Sequence, residues 1–475
     1  MKLRSVIIYP FVLLLIHCSR SDLENQKSRL VNFNHLEHLT ETIELNGQEC
    51  DIIHIYSEYP DYHWVDAAEE GIACVDDVAR AAVVYLRYFE IAGIDSILLK
   101  AKRLLNFVLY MQAEDGEFYN FIGANYQINK TYRTSKKSFD FWAARGYWAI
   151  GLGYRIFKDK DREYAVKLKD AFLKCKIPIK KNLEFYKQYI EINGRKYPLW
   201  LVNKYGSDAT ATLLLGLNEF LKIEQDQELE KYASQLVEGI IEMQVEDGNV
   251  YPGAFLSWQD IWHAWGNAQT QALTSLGKTL NQSQFIQAAK KEADKFYSNM
   301  LIHGMLREWK LGNENKAEEF PQISYGIRCM TLGLLRLSEA TGNEDYAKLA
   351  GLAASWLMGN NAAKTQMYDP KSGRCFDGII DSTKVNFNSG AESTIEALYT
   401  LTEISSHPIA KKYLFYHTMA KGSISNKSPG RKIAYREFQN DAGNKILLVR
   451  DFDQQKFEIL EDDRLAEFLE KYGLK

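Results

Sequence analysis

Acidic residues crowd a few short, otherwise apolar stretches of this chain. Asp76 and Asp77 stand between Val75 and Val78-Ala79. A helix start uses one acid as a cap, so the second is either a structural partner for Arg80 or a group free for proton transfer. Asp140 precedes Phe141, Trp142 and Arg145, Asp208 follows Tyr205-Gly206-Ser207, and Glu392 follows Asn388-Ser389-Gly390-Ala391. Asp140, Ser207 and Ser389 are equally the residue types that cap helices, and Glu392 lies at the capping-box spacing from Ser389. A second constellation is aromatic: Trp258, Asp260, Trp262, His263 and Trp265 fall within eight residues, just before Asn267. Indole faces suit the apolar C–H faces of sugar rings, whereas three tryptophans in a loop are an uneconomical way to fill a core. Carboxyls among aromatics match the needs of glycoside cleavage. One protonated carboxyl assists the leaving oxygen and one carboxylate activates water, about 6.5–9.5 Å away when the reaction inverts.

Such residues need a scaffold that brings them together, and the sequence repeats accordingly. Met111-Gln112-Ala113-Glu114-Asp115-Gly116 and Met243-Gln244-Val245-Glu246-Asp247-Gly248 are near copies, each closing a stretch with helical apolar spacing (97–111 and 229–243). Helices rich in Ala, Gly and Leu begin near Cys74, Asp140, Ser207, Gly266, Ser324 and Ser389. Between or after these starts lie more charged helices at 97–111, 162–177, 229–243, 284–300, 346–358 and 410–419. Few charges mark the first set for burial on most sides, and a one-sided run such as Lys290-Lys291-Glu292-Ala293-Asp294-Lys295 marks the second as an outer layer. Six helical hairpins of nearly constant length, without a polar capping repeat, predict an all-α class: an (α/α)6 toroid over 61–425 rather than an open solenoid. In a closed ring all inner helices run the same way, so their N-termini, with their positive dipole ends, gather on one face. The candidate residues sit at those N-termini. Asp115 and Asp247, which end outer helices, are either turn formers or contributors to the same funnel.

The flanks predict small appendages. A helix at 33–42 and a strand at 51–56 precede the ring, and strands at 445–450 and 456–460 with a helix at 464–472 follow it, in a C-terminal segment 426–475.

The six-hairpin pattern, the Gln-x-x-Asp-Gly turns, Cys74-Val75-Asp76-Asp77-Val78-Ala79-Arg80 and Asn388-Ser389-Gly390-Ala391-Glu392-Ser393-Thr394 resemble the six-hairpin glycosidase superfamily over roughly residues 60–420. That superfamily holds inverting glycoside hydrolases, phosphorylases, unsaturated-glycuronyl hydrolases and toroidal polysaccharide lyases. The resemblance implies catalytic acids in the funnel, drawn from Asp76, Asp77, Asp208 and Glu392, with Asp140 as an alternate. Asp140, Trp142, Arg145, Trp258, Asp260, Trp262, His263, Trp265, Asn267, Tyr325 and Asn388 are the expected substrate contacts. A glycoside hydrolase acting on oligo- or polysaccharide is the leading expectation. A lyase or glycuronyl hydrolase would draw on Tyr325, His263, Arg145 and Asn267, and a non-catalytic glycan-binding protein is the remaining reading.

The totals narrow the partners. A net charge of −4 and a pI near 6.2 give no basic footprint for nucleic acid. Six scattered cysteines without a CxxC pair signal neither a zinc site nor a disulfide scaffold, leaving only a Cys50–Cys74 bridge to consider. No metal or cofactor is expected. Lys2 and Arg4, an apolar stretch at 6–16 and Leu14-Leu15-Ile16-His17-Cys18 read as a lipoprotein signal, residues 1–17. Cys18 would be lipidated, residues 18–60 would include the tether, and the lipid would be the membrane contact of an exported protein.

Overall fold

A computed structural model describes residues 30–425 and 432–473. Six helices form an inner barrel: Val75–Ala92, Phe141–Phe157, Ser207–Leu221, Gln269–Thr279, Tyr325–Thr341 and Ala391–Ser406. Each packs on the next, and the sixth packs back on the first, so the ring closes. Small residues permit the approach. A Cβ on Gly151 would lie 2.6 Å from the Gly216 carbonyl oxygen, so the second and third inner helices touch backbone to backbone. The outer layer is Asp95–Tyr110, Arg162–Leu173 with Lys176–Leu183, Gln227–Glu242, Ser283–Glu292 continuing through a π-turn to Ser298–His303, Glu344–Ala354, and Pro408–Tyr413. These helices bury one stripe each, as Leu229, Ala233, Leu236, Val237 and Ile240 do in the third.

The inner helices are co-oriented. Residues of their first turns pair across the ring (Asp76 with Arg145, Arg80 with Glu392 and Glu396), and residues of their last turns pair at the other end (Arg87 with Glu403, Arg155 with Glu219). The duplicated turns perform one duty twice. The Gln112 amide donates to the Ala171 carbonyl at 2.9 Å, and the Gln244 amide donates to the Gly253 and Ala288 carbonyls at 2.8 and 2.9 Å. Their acids face outward, Asp115 onto Lys137 and Asp247 onto Lys295, and do not enter the funnel.

The flanks are more β-rich than the sequence pattern predicts. The N-terminal helix is only Asn34–His38, because Thr40–Leu45 and Gln48–Ile53 form an antiparallel hairpin around Asn46-Gly47, both with positive φ. The sixth outer helix stops at Tyr413. From His417 the chain enters a four-stranded antiparallel sheet, His417–Ser425, Lys432–Gln439, Lys445–Asp451 and Lys456–Glu461, so the ring ends before residue 425. One face of this sheet joins the ring's core through Ala434, Phe438, Ile446, Leu448 and Ile459. The other packs Ile433, Leu447, Val449 and Leu460 on Leu465 of the closing helix Asp462–Tyr472. Cys50 and Cys74 are separate buried thiols, which removes the bridge considered from sequence. Cys18 lies outside the described residues. No helix among those described is long and apolar enough to cross a membrane.

Candidate active site

The N-terminal ends of the first, fifth and sixth inner helices border a cavity of about 320 Å³, lined by Asp76, Asp77, Tyr325, Asp377 and Glu392, among others. Its organising group is Arg80, one turn into the first inner helix and 4% exposed. Its guanidinium reaches Asp76 at 3.0 Å, Asp77 at 3.4 Å, Glu392 at 2.8 Å and Glu396 at 3.4 Å. Arg145, from the second helix, donates to the other oxygen of Asp76 and to the Tyr325 hydroxyl. Arg328, from the fifth, donates to Glu396 at 2.6 Å and to the Gln271 side chain at 3.2 Å. The Tyr325 ring lies between these cations, with the Arg80 and Arg145 guanidinium carbons 4.6 and 5.3 Å from its centroid.

This wiring separates two adjacent acids. Burial opposes the Asp76 anion, but Arg145 and Arg80 outweigh it and hold the carboxyl below its ordinary range. Asp77 is buried with a single weak arginine contact and a thiol, Cys74 Sγ at 3.3 Å. Burial, reinforced by the Asp76 and Glu392 charges and only partly offset by Arg80, pushes it up to about 7. The Glu392 side chain is 46% exposed and pairs with Arg80. Asp377, which sequence reading missed, accepts from the Gly390 amide at 2.9 Å and from the Ser393 hydroxyl; burial raises its carboxyl too.

The other predicted residues divide into two groups. Asp140 caps the second helix on the Phe141 amide, and burial, with Asp208 and Asp76 nearby, raises it. Asp208 accepts from its neighbour's amide and lies 3.2 Å from His263 Nε2, and the His263 ring stacks on Trp265 at 4.1 Å. Asp76, Asp140, Asp208 and Glu392 therefore share one face of the ring. Trp258 leans on Tyr205 at the start of the third helix, and the Trp142 indole is anchored to the Phe118 carbonyl. Trp262 departs from expectation. It is 3% exposed, opposite Trp309 in a two-stranded ladder and against Phe296, so it fills core. Asp260 is buried against Lys310 and Asn193, and Asn267 is bonded to Ser257, Gln269 and the His263 carbonyl; both shape the loop rather than face the cavity. Asn388 accepts from the Tyr59 amide and so fixes the rim.

That rim holds the aromatics the sequence reading overlooked. The segment before the ring docks on the sixth inner helix through Ala391 N–H to Ile55 carbonyl and Ser389 N–H to Ser57 carbonyl. It thereby places Tyr56 in the cavity wall and Tyr59 beside Phe387, ring centroids 5.7 Å apart. All three rings are at least 42% exposed. Among the described residues, no group of three or more His, Cys, Asp or Glu is placed to hold a metal ion.

Six helical hairpins closed into a ring make an (α/α)6 toroid, a fold the chain shares with solved structures. Among solved structures the chain is similar to a cellobiose 2-epimerase from Bacillus thermoamylovorans (TM-score 0.56, 14% identity, 82% of this chain and 98% of that one). It is similar also to a sugar epimerase from a ruminal bacterium (0.55, 14%, 82% and 99%) and to a D-mannose isomerase (0.51, 11%, 83% and 99%). No protein-family model and no curated protein sequence matches the chain.

Proposed function

We propose that this chain is a carbohydrate-active enzyme that hydrolyses the glycosidic bonds of a neutral oligo- or polysaccharide, with Asp77 as proton donor and Glu392 as the working carboxylate. The observation that carries the reading is the pair itself: a buried carboxyl raised to about 7 beside a half-exposed carboxylate, both on one guanidinium and both lining the same cavity. A protonated acid at neutral pH is what the glycosidic oxygen requires of its donor. Asp76, clamped between Arg80 and Arg145, fixes both guanidinium groups beside the cavity. Tyr56, Tyr59 and Phe387 offer apolar faces at the mouth. The similarity in fold to proteins named as sugar epimerases and a sugar isomerase supports a sugar in the basin.

Charge argues against a uronate substrate. Arg80, Arg145 and Arg328 are each engaged by acids, and Asp77, Asp377 and Glu392 add further carboxyls, so among the described residues no lysine or arginine lining the cavity waits for a sugar acid. The parts for a lyase are also occupied, since Asn267 is bonded within its own loop and burial holds the Tyr325 phenol above its ordinary range.

The test is product analysis on a panel of neutral and uronic oligosaccharides. New reducing ends from neutral substrates are expected, and Asp77→Asn should lower kcat by about 10²–10⁴-fold with the fold intact. Unsaturated products, isomerised sugars of unchanged chain length, or saturable binding without turnover would each displace the hydrolase reading. As an exported lipoprotein, the chain should take up labelled fatty acid in a bacterial host and lose it in Cys18→Ser; equal labelling of the two would reject that anchor.

A further inference from the structure

The buried arginines of the ring are clamped: Arg80, Arg145 and Arg328 each meet carboxylates. Two arginines of the C-terminal sheet break the rule. Arg436 stands opposite Lys421 in the strand ladder, and Arg450 stands opposite Ala434, two residues from Arg436 and from Lys432. The period of two puts Lys421, Lys432, Arg436 and Arg450 on the sheet face that meets the ring. Against this face lies the helix Ser298–His303. His303 responds to all four cations: burial first, then Lys421, Arg450, Arg436 and Lys432, keep its imidazole below the ordinary range.

The seam between sheet and ring holds a cavity of about 220 Å³, lined by His303, Lys421, Arg436, Asn360, Thr418 and Glu319, among others. Arg450 is 2% exposed. Among the described residues, its Nε and that of Arg436 are buried with no hydrogen-bond partner, and no acidic neighbour acts on either guanidinium. Each instead leans on an aromatic ring two residues along the chain, Arg450 over Phe452 at 4.6 Å and Arg436 near Phe438 at 6.0 Å. Lys421 donates to the His303 carbonyl, and Glu319 is an exposed carboxylate on the rim. Burial without compensation lowers both guanidinium groups to about 10. An unpaired buried charge is costly, and a guanidinium fork is shaped to accept two oxygens of an anion.

We propose that this seam is a binding site for a tetrahedral oxyanion, phosphate or sulfate, free or as an ester on a sugar, held by Arg436 and Lys421 with Arg450 behind them. Arg436 and Lys421 on the cavity wall, with Arg450 on the same sheet face, outnumber the one rim carboxylate and favour a doubly charged group over a single carboxylate. The lining of this site shares no residue with that of the basin, and the proposal does not depend on the hydrolase reading.

Calorimetric titration of the full chain with inorganic phosphate, inorganic sulfate and a sulfated monosaccharide, at fixed ionic strength, tests it. Saturable one-to-one binding of at least one of them is expected, weakened tenfold or more in Arg436→Gln and in the solvent-facing Lys421→Gln. Tighter binding of the sulfated sugar than of free sulfate identifies an ester as the source, and equal binding identifies the free ion. Should Arg436→Gln fail to fold, the His303 imidazole of the unmodified protein supplies a second readout by NMR titration: its pKa should rise when the anion binds. Absence of saturable binding by all three probes, undiminished binding in both folded variants, or an unmoved His303 titration under saturating anion would overturn the site.

Discussion

Asp77 and Glu292 are both buried carboxyls raised to about 7, yet their surroundings give them different consequences. Asp77 faces the basin, so its proton is available to substrate. Activity that depends on it should fall as pH rises through about 7, and the alkaline limb of kcat/KM reports that ionisation. Glu292 is fully buried between the fourth inner and outer helices, accepting from the Phe255 amide at 2.9 Å and the Thr270 hydroxyl at 2.7 Å without a cation nearby. Burial raises it more than these bonds lower it. The folded state thus holds its proton more tightly than the unfolded chain does. The stability this contributes is complete below the unfolded carboxyl range and is lost as pH climbs through about 7. A shift of that size corresponds to about 3 kcal/mol, an order-of-magnitude figure. Glu292→Gln keeps an acceptor for Phe255 and cannot ionise. It should melt near the parent protein at pH 5 and several degrees higher at pH 8.5; parallel melting-temperature profiles across that range would refute the assignment.

At the scale of elements, the duplicated glutamines are the part of the motif that works hardest, although its acids attracted attention first. Each amide satisfies carbonyls where an outer helix meets the following turn. Removing one strands those acceptors at a cost of about 1–3 kcal/mol, and two sites in separate repeats should add. Gln112→Ala and Gln244→Ala should each lower the urea midpoint, and the double variant should lose the sum, measured by denaturant unfolding. The hairpin repeat was legible because inner and outer helices differ in composition over whole turns: five of the six inner starts fall within two residues of expectation, and the fourth begins at Gln269 rather than near Gly266. The flanks were less legible. Asn46-Gly47 is a hairpin signal that the helical spacing of 33–42 obscured, and residues 417–425 carry too few large apolar side chains to announce a strand. Within the site, Asp76, Asp77, Arg145, Tyr325 and Glu392 were readable from their place at helix starts. Arg80 is legible from sequence only as a partner for one of the paired acids, because its contacts with Glu392 and Glu396 join helices more than 300 residues apart. Trp262 misled because a short ladder with Trp309 buried it, a pairing between segments about 50 residues apart that no local pattern encodes.

For the molecule as a whole, the difficult step is closing the ring, where the first and sixth hairpins meet after the entire chain has been laid down. Two stacked arginine–glutamate–arginine clusters bridge that seam. Near the basin, Glu396 receives Arg80 and Arg328; one level deeper, Glu403 receives Arg87 at 2.7 Å and Arg336. Glu403 is 4% exposed, and the two arginines, assisted by their hydrogen bonds, overcome its burial and hold it at about 2. Such clusters are poor sources of net stability, since desolvation offsets most of the attraction, but breaking one leaves charges buried and unpaired. Glu403→Ala should therefore cost more than an alanine replacement at a surface glutamate, yet less than the about 3–5 kcal/mol of a charge left wholly unpaired, because Arg87 and Arg336 keep Glu90 and Glu339. Replacing Arg87 and Arg336 by methionine in the same chain should recover much of that loss, because the three apolar side chains no longer strand a charge. If the cluster also sets the alignment of the first and sixth inner helices, the rescued variant should fold yet turn over substrate more slowly, because Asp77 and Glu392 ride on those two helices. Recovery of melting temperature together with full kcat would assign the cluster to charge balance alone, whereas recovery of melting temperature with depressed kcat would show that closing the ring is also what aligns the site.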